Sequence, residues 1–242
     1  EILIGLVGSE MCIRDRTGGT YIDKWADGVE ADNGSKVTVD GNVTSQKGWA
    51  IDSHGSDVTV NGDVHSEKGS AINARKGSTI TIDGSVSSNA GITLGGIIET
   101  TESTIKITKD VTAKNAWGIL AGSEADIEVG GNISSEKEAV YIAGKDALIV
   151  VDGNVYSTKG CAMDILEQAE ATVKGDVSGN KLAIWMDNSS KLQALGKISS
   201  NDVGILLSLY GDQGTGELEL GTIDAQTAIC LLYTSDAADE AR

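Results

Sequence analysis

Aspartate and asparagine residues recur beside a glycine along most of the chain. Carboxylate and amide oxygens are the ligands that Ca²⁺ takes in proteins, so a stacked column of these side chains could bind calcium. The same residues suit tight turns and can hydrogen bond to one another between stacked turns. Because the Gly-Gly-x-Gly-x-Asp spacing of calcium-binding repeats is missing, we interpret them as turn residues and predict no metal site. The residues before the glycine are Asp40, Asn61, Asp83 and Asp152, and those after it are Asn42, Asp63, Asn132, Asn154 and Asp176.

Two tryptophans occupy the same position of a repeated pattern. Trp49 and Trp117 each precede a small residue, which is Ala50 or Gly118. Aromatic rings on a surface could stack on sugar rings, whereas a residue two positions before a buried isoleucine can also point inward on an alternating strand. The remaining occupants form no aromatic row, so we interpret both tryptophans as core or edge packing. These occupants are Ser70, Ala139, Cys161, Leu182 and Val203.

Signals for catalysis are weak. His54 and His65 are the only two histidines, and neither belongs to a Ser-His-Asp or metal-ligand spacing. Cys161 stands alone within the repeats, and we expect it to be a small buried apolar residue. The sequence therefore predicts no catalytic, cofactor-binding or metal-binding residue and no cofactor, and it leaves the ligand-binding residues open.

A repeat of about 22 residues runs through the chain. The segment "GSKVTVDGNVTSQKGWAIDS" (34–53) is followed by "GSDVTVNGDVHSEKGSAINA" (55–74), and further copies continue to residue 229. A large apolar residue that follows a usually small one recurs every 21 to 25 residues. The residues of this apolar column are Val29, Ile51, Ile72, Leu94, Ile119, Tyr141, Met163, Ile184, Ile205 and Ile229.

Each repeat contains three short strand patterns. In the first full copy they are Val37 with Val39, then Val43 with Ser45, then Ile51 with Ser53. Apolar residues alternate with polar ones, which is typical of strands with one buried face. Segments this short bury that face only by stacking on their own copies. We therefore predict an all-β, single-domain parallel β-solenoid with three sheets and about 22 residues per turn.

The repeated motif V-x-V-x-G-x-V-x-S resembles the repeats of right-handed parallel β-helix proteins. These include bacterial surface adhesins, secreted passenger domains and pectate-lyase-like enzymes. The resemblance covers nearly all of residues 17–229 and implies a right-handed solenoid. The left-handed alternative uses hexapeptide units that give about 18 residues per turn, which fits the observed period poorly. The Gly-His-Gly and Arg-x-Lys motifs of pectin-degrading relatives are missing.

One copy is longer than the others. The stretch "GITLGGIIETTE" adds residues around Gly95 and Gly96. Insertions in solenoids bulge from one face and often form a binding surface, but surfaces also tolerate neutral loops. We favour the neutral loop.

Both ends differ from the repeats. Residues 1–16 and 230–242 resemble translated adapters used in DNA library preparation, because a back-translation of Cys230–Ser235 has a reverse complement that encodes Met11–Asp15. We predict that neither end is native and that 17–229 is a solenoid fragment truncated at both ends. Uncovered end turns expose unpaired backbone groups, so we expect the isolated fragment to associate end to end.

The charge of the chain limits its partners. The formal net charge is -17, and proline and phenylalanine are both missing. Such an acidic chain repels phosphate groups, so we expect no nucleic acid partner, and no apolar run within the repeats reaches the roughly 18 residues that a membrane span needs.

We therefore expect a structural or adhesive repeat domain of a bacterial cell-surface or secreted protein, located outside the cell. It would be a rigid rod and not an enzyme, making weak multivalent contacts with glycans or surface proteins. The alternative is a segment of a pectate-lyase-like carbohydrate-active enzyme whose catalytic turns lie on flanking sequence.

Overall fold

The computed structural model describes residues 21–23, 28–89, 96–210 and 216–234. These residues form 27 β-strands, β1 to β27. In this part of the chain, no helix is long and apolar enough to span a bilayer. The strands fall into three rows that run along the molecule, and each turn of the chain adds one strand to each row.

The strands of row 1 begin each turn. They are β3 (Lys36–Val39), β6 (Asp57–Val60), β9 (Thr79–Ile82), β12 (Thr104–Ile107), β15 (Asp126–Val129), β18 (Leu148–Val151), β21 (Glu170–Val173), and the first parts of β24 (Lys191–Ser199) and β26 (Glu217–Asp224).

Row 2 follows after a corner that contains a glycine in most turns. Its strands are β1 (Tyr21–Asp23), β4 (Val43–Ser45), β7 (Val64–Ser66), β10 (Val86–Ser88), β13 (Val111–Ala113), β16 (Ile133–Ser135), β19 (Val155–Ser157), β22 (Val177–Ser178), and the second parts of β24 and β26.

Row 3 closes each turn. Its strands are β2 (Val29–Asp32), β5 (Ile51–His54), β8 (Ile72–Arg75), β11 (Gly96–Thr100), β14 (Trp117–Ala121), β17 (Val140–Ala143), β20 (Met163–Leu166), β23 (Leu182–Asp187), β25 (Val203–Tyr210) and β27 (Thr227–Thr234).

Every strand pairs in parallel with its equivalent one turn away. Val37 pairs with Val58 and Ile51 pairs with Ile72, as the repeat alignment predicts. Row 3 is a ten-stranded sheet, whereas rows 1 and 2 form one 17-stranded sheet. Rows 1 and 2 are joined because β24 and β26 each continue from row 1 through the corner into row 2. The pairing of β24 with β26 has a register shift between Ala194 and Lys197. The chain is thus an all-β parallel β-solenoid of about 22 residues per turn and about 9 turns.

The apolar column of row 3 lies inside the solenoid. Ile51, Ile72 and Ile184 each have 0% of their surface exposed and occupy the same row. The side chains of neighbouring turns cover them above and below, which is how a short strand buries its apolar face. The central prediction, that like residues stack on like residues around a shared apolar axis, is confirmed. The right-handed winding stays a prediction.

Two members of that column are placed differently from the prediction. Val140, and not Tyr141, pairs with Ile119, because the β-branched side chain enters the core while the tyrosine lies on the outer side. Ile98, and not Leu94, pairs with Ile72, while Leu94 lies outside the described residues. The extra residues of the long copy therefore precede Gly96 in the sequence between β10 and β11, and residues 90–95 lie outside the described residues.

Buried serines form the corner between rows 2 and 3. The Ser66 hydroxyl donates to the Gly48 carbonyl of the preceding turn at 3.0 Å and accepts from the Gly69 amide at 3.0 Å. One buried hydroxyl thus satisfies two partly buried backbone groups, which explains the serine of the V-x-S pattern. Its buried equivalents are Ser45, Ser88, Ser135 and Ser157.

Strand β27 crosses a predicted domain boundary. Cys230 to Thr234 continue the strand and pair with Leu206 to Tyr210 of β25. At the other end, Tyr21 to Asp23 pair with β4. The adapter origin predicted for residues 1–16 and 230–242 stays a prediction.

Candidate ligand-binding surface

The residues after the repeat glycine form a hydrogen-bond ladder. In each case a side-chain oxygen accepts the backbone amide of the equivalent residue one turn further along. Asn132 accepts from Asn154 at 2.9 Å, and Asn154 accepts from Asp176 at 2.7 Å. The same contact links Asn42 to Asp63, Asp63 to Ser85, Asp110 to Asn132, and Asp176 to Lys197.

This ladder uses the oxygens that a calcium column would need. Each turn-to-turn bond contributes about 1 kcal/mol, so the column stabilises the stack. Among the described residues, no group of three or more His, Cys, Asp or Glu side chains has the geometry of a metal site. The sequence pattern did not predict Asp110 as a member of this ladder, because Asp110 follows Lys109 and not a glycine.

The residues before the glycine lie outside this ladder and contact other side chains. Asn61 donates to Asp40 at 2.5 Å, and Thr108 donates to Asp83 at 3.0 Å. Asp152 forms an ion pair with Lys174 at 2.6 Å. Because these contacts are exposed, each of them contributes little to the stability of the fold.

His65 meets a serine and a glutamate on the outer side of row 2. Its Nδ1 lies 2.9 Å from the Ser87 hydroxyl, and its Nε2 lies 3.2 Å from a Glu67 oxygen. The sequence did not indicate this Ser-His-Glu cluster, because its serine lies one turn away from the other two residues. A hydrogen bond from Asn89 and the contact with His65 lower the pKa of Glu67.

The cluster has the order of groups found in serine hydrolases, but acyl transfer also needs N–H donors for the oxyanion. The amides of Glu67 and Asn89 donate to the Ser45 and Ser66 carbonyls, at 2.9 and 3.1 Å. These two donors are therefore used by the solenoid itself.

His54 lies between two aspartates on the outer side of row 3. Its Nδ1 is 3.3 Å from Asp32, and its Nε2 is 3.3 Å from Asp52. The contact with Asp32 connects neighbouring turns, whereas Asp52 belongs to the same strand as His54. Both contacts are consistent with the predicted surface position of the histidine.

An aromatic pair lies further along row 3. Trp117 of β14 and Tyr141 of β17 stack with their ring centroids 5.8 Å apart and their planes 24° apart. Both side chains are partly exposed, and so is Trp49. Trp117 therefore belongs to an aromatic pair on the outer surface and is not part of the core. One turn further along, the residue in register with Trp117 is Glu138 and not the predicted Ala139. The register differs by one residue because Val140, and not Tyr141, belongs to the apolar column.

Asp164 follows Tyr141 in the outward column. It pairs with Tyr141 on one side and with Trp185 on the other. Only 8% of its surface is exposed, and its Oδ1 has no hydrogen-bond partner. Burial raises the pKa of Asp164 to about 6. A hydrogen bond with Cys161 opposes this effect, and the negative charge of Glu138 adds a smaller upward contribution.

Cys161 lies partly exposed beside Asp164 and does not belong to the hydrophobic core. Its thiol donates toward the carbonyls of Met163 and Ala183, at 3.2 and 3.3 Å. Burial of the sulfur raises its pKa, which disfavours the reactive thiolate.

A shallow groove adjoins the aromatic pair. Arg75, Glu99, Leu120 and Tyr141 contribute side chains to it, and Arg75 lies 3.9 Å from Glu99. Burial raises the pKa of Glu99, and Arg75 partly offsets that effect. We define the row 3 patch as Trp117, Glu138, Tyr141, Asp164 and Trp185.

No protein family, curated protein or solved structure matches this chain. The coordinates themselves define the class of protein, which is a parallel β-solenoid repeat domain.

Proposed function

We propose that this chain is a rigid, non-enzymatic repeat region of a bacterial cell-surface or secreted protein. It holds ligand-binding surfaces apart as a stalk or adhesin. The supporting observation is the continuous bonding from turn to turn in all three rows.

Rigidity follows from how each turn is held. A turn contributes backbone bonds to three rows, and its corners add side-chain bonds such as Asn154 to Asp176 and Ser66 to Gly48. About nine turns spaced by about 4.8 Å give a stack roughly 40 Å long. Such a stack resists bending because bending would break several hydrogen bonds in every affected turn.

The outer columns support weak contacts that add together. A side chain on one turn has its equivalent about 4.8 Å away on the next turn, so an extended ligand can contact several turns at once. Multivalent contact of this kind raises overall affinity without a deep pocket. Glycans and surface proteins are the partner classes that fit, whereas the net charge of -17 opposes nucleic acids. The location outside the cell rests on the resemblance of the repeats to those of β-helix adhesins.

The second candidate is a carbohydrate-active enzyme, and the Ser87–His65–Glu67 cluster is the observation that favours a hydrolytic role. Incubation of the full chain with acidic polysaccharides and with an activated acetyl ester tests both possibilities. The stalk hypothesis requires no new reducing ends and an ester hydrolysis rate equal to that of Ser87→Ala. Depolymerisation, or an ester rate that falls at least tenfold in Ser87→Ala, would refute it.

A further inference from the structure

We propose that the row 3 patch binds an amine-bearing sugar chain, with Trp117 and Tyr141 contacting a sugar ring and Asp164 accepting a hydrogen bond from its ammonium group. This inference rests on the proposed function, which requires ligand contacts on the side of the rod.

The outward column places a carboxylate between two aromatic rings. Met163 and Ile165 have 0% exposure and point into the core, so Asp164 between them lies on the outer side. Its partners in register are Tyr141 and Trp185. Ring, carboxylate and ring therefore follow one another on three consecutive turns.

Asp164 lacks a hydrogen-bond donor for one oxygen. The residue is 8% exposed, and Oδ1 has no partner within the described structure. A buried acceptor without a donor is costly, and for a carboxylate the best donor is a cation. An ammonium group on a ligand supplies both the donor and the charge.

The surrounding charges select a cationic ligand over an anionic one. Burial is the main cause of the raised pKa values of Asp164 and Tyr141. Glu138, which precedes β17, adds to the pKa shift of Asp164, and Glu167, which follows β20, adds to that of Tyr141. Asp187 of β23 bonds to the Glu167 amide at 2.6 Å. Glu138 and Glu167 thus lie near the patch and disfavour an anionic ligand, while Arg75 in the adjoining groove is close to Glu99.

The aromatic pair distinguishes a ring-shaped organic cation from a metal ion. Trp117 and Tyr141 present adjoining, partly exposed faces, which attract ammonium groups through cation–π contact and cover the apolar side of a sugar ring. Trp185 is held in place because its Nε1 donates to the Ser208 hydroxyl at 2.8 Å. A glucosamine unit combines the flat apolar body and the ammonium group that these residues would contact.

Titration calorimetry on the full chain with a glucosamine tetramer, its fully N-acetylated counterpart and spermidine tests the proposal. We expect the glucosamine tetramer to bind at least five times more tightly than either of the others. Acetylation removes the charge, and spermidine lacks the ring. Equal binding of the acetylated tetramer or of spermidine would overturn the assignment, as would no binding of the glucosamine tetramer.

Variants locate the binding. Asp164→Asn and Trp117→Ala should each weaken glucosamine tetramer binding at least fivefold. Asp126→Asn and Tyr156→Ala, which alter an exposed acid of row 1 and an exposed aromatic of row 2, should change it less than twofold. Thermal unfolding identifies any variant that fails to fold, and Trp117→Phe then replaces Trp117→Ala, with an intermediate loss expected. Equal effects at the row 3 patch and the control positions would refute the site.

The two proposals fail separately. Cleavage of the glucosamine tetramer would refute the non-enzymatic role while retaining the binding site. Absence of binding would refute the site, while the polysaccharide and ester assays would still decide the stalk hypothesis.

Discussion

Gly175 lies directly over Gly153 of the preceding turn. Its amide donates to the Gly153 carbonyl at 3.2 Å, and a Cβ added to Gly175 would lie 2.5 Å from that carbonyl oxygen. At Gly175 the corner between rows 1 and 2 leaves no room for a Cβ because backbone packs on backbone, so this repeat glycine has a structural reason independent of any ligand.

Gly175→Ala should be among the most destabilising single changes. The methyl group would have to displace a backbone carbonyl, which costs about 2 kcal/mol or more in free energy of unfolding. Urea unfolding measures this effect. Lys109 occupies the equivalent corner position of another turn, where its carbonyl accepts from the Gly131 amide at 3.1 Å, so Lys109→Ala should change stability by less than about 0.5 kcal/mol. Equal losses for the two variants would contradict the close-packing explanation.

Asn154→Ala should destabilise the solenoid by about 1–2 kcal/mol. The change removes a bond from the Asp176 amide at 2.7 Å and a bond to Asn132 at 3.0 Å. Asn61→Ala is the matched control, since it removes only a side-chain bond to Asp40 at an exposed edge. If both variants unfold at the same urea concentration, the ladder has no special stabilising role.

Ser66→Ala should lower the free energy of unfolding by about 1–2 kcal/mol, because it leaves a partly buried carbonyl and a partly buried amide without their partner. The hydroxyl joins Gly48 to Gly69 across one turn. Ser87→Ala, on the outer side of row 2, removes a contact with His65 and should change stability by less than about 0.5 kcal/mol. Urea unfolding measures both variants. A larger loss of stability in Ser87→Ala than in Ser66→Ala would exclude the corner role of Ser66.

The pH dependence of stability should carry a contribution from Asp164. Its folded pKa is about 6, above the ordinary 3.8, so the folded state binds the proton more tightly than the unfolded state. Stability from this group is therefore present below about pH 4 and is lost as the pH rises through 6. The groups that face Asp164 are Cys161, Glu138 and Tyr141.

Asp164→Asn removes this titration. We expect the variant to gain stability relative to the original chain between pH 4 and pH 7.5, as measured by urea unfolding at both values. Glu138→Gln should produce a smaller change in the same direction. A stability difference that does not vary with pH would show that the Asp164 carboxyl titrates normally.

The last described turn exposes residues that are buried elsewhere in the stack. Ile229 is 44% exposed, although its partner Ile205 is 0% exposed. Leu231, on the same strand, is 60% exposed. We expect self-association of this chain by light scattering, reduced by Leu231→Lys and unaffected by Leu195→Lys on the side of the rod. A monomer at every concentration would contradict this expectation.

Much of the fold was predictable because the repeat is local. The alternation of Val37 with Val39 and the return of isoleucine at Ile51 and Ile72 each depend on a few neighbouring residues. The sequence reasoning failed where two apolar residues stand side by side, at Val140 and Tyr141. There the choice depends on which side chain fits the core left by the adjacent turns.

The candidate site was less predictable, because its residues belong to different turns. Trp117 and Tyr141 were visible as aromatic residues, but their stacking requires the register of β14 against β17. The same holds for Ser87 and His65, which are separated by a full turn.

The sequence alone therefore determined the period, the strands and most of the inward column, since a repeat imposes the same backbone pattern on every turn. Only the tertiary structure decided which outward side chains become neighbours, because corner length and core packing set the register between turns. The burial of Asp164 between Tyr141 and Trp185 is a property of three stacked turns, and no single repeat contains it.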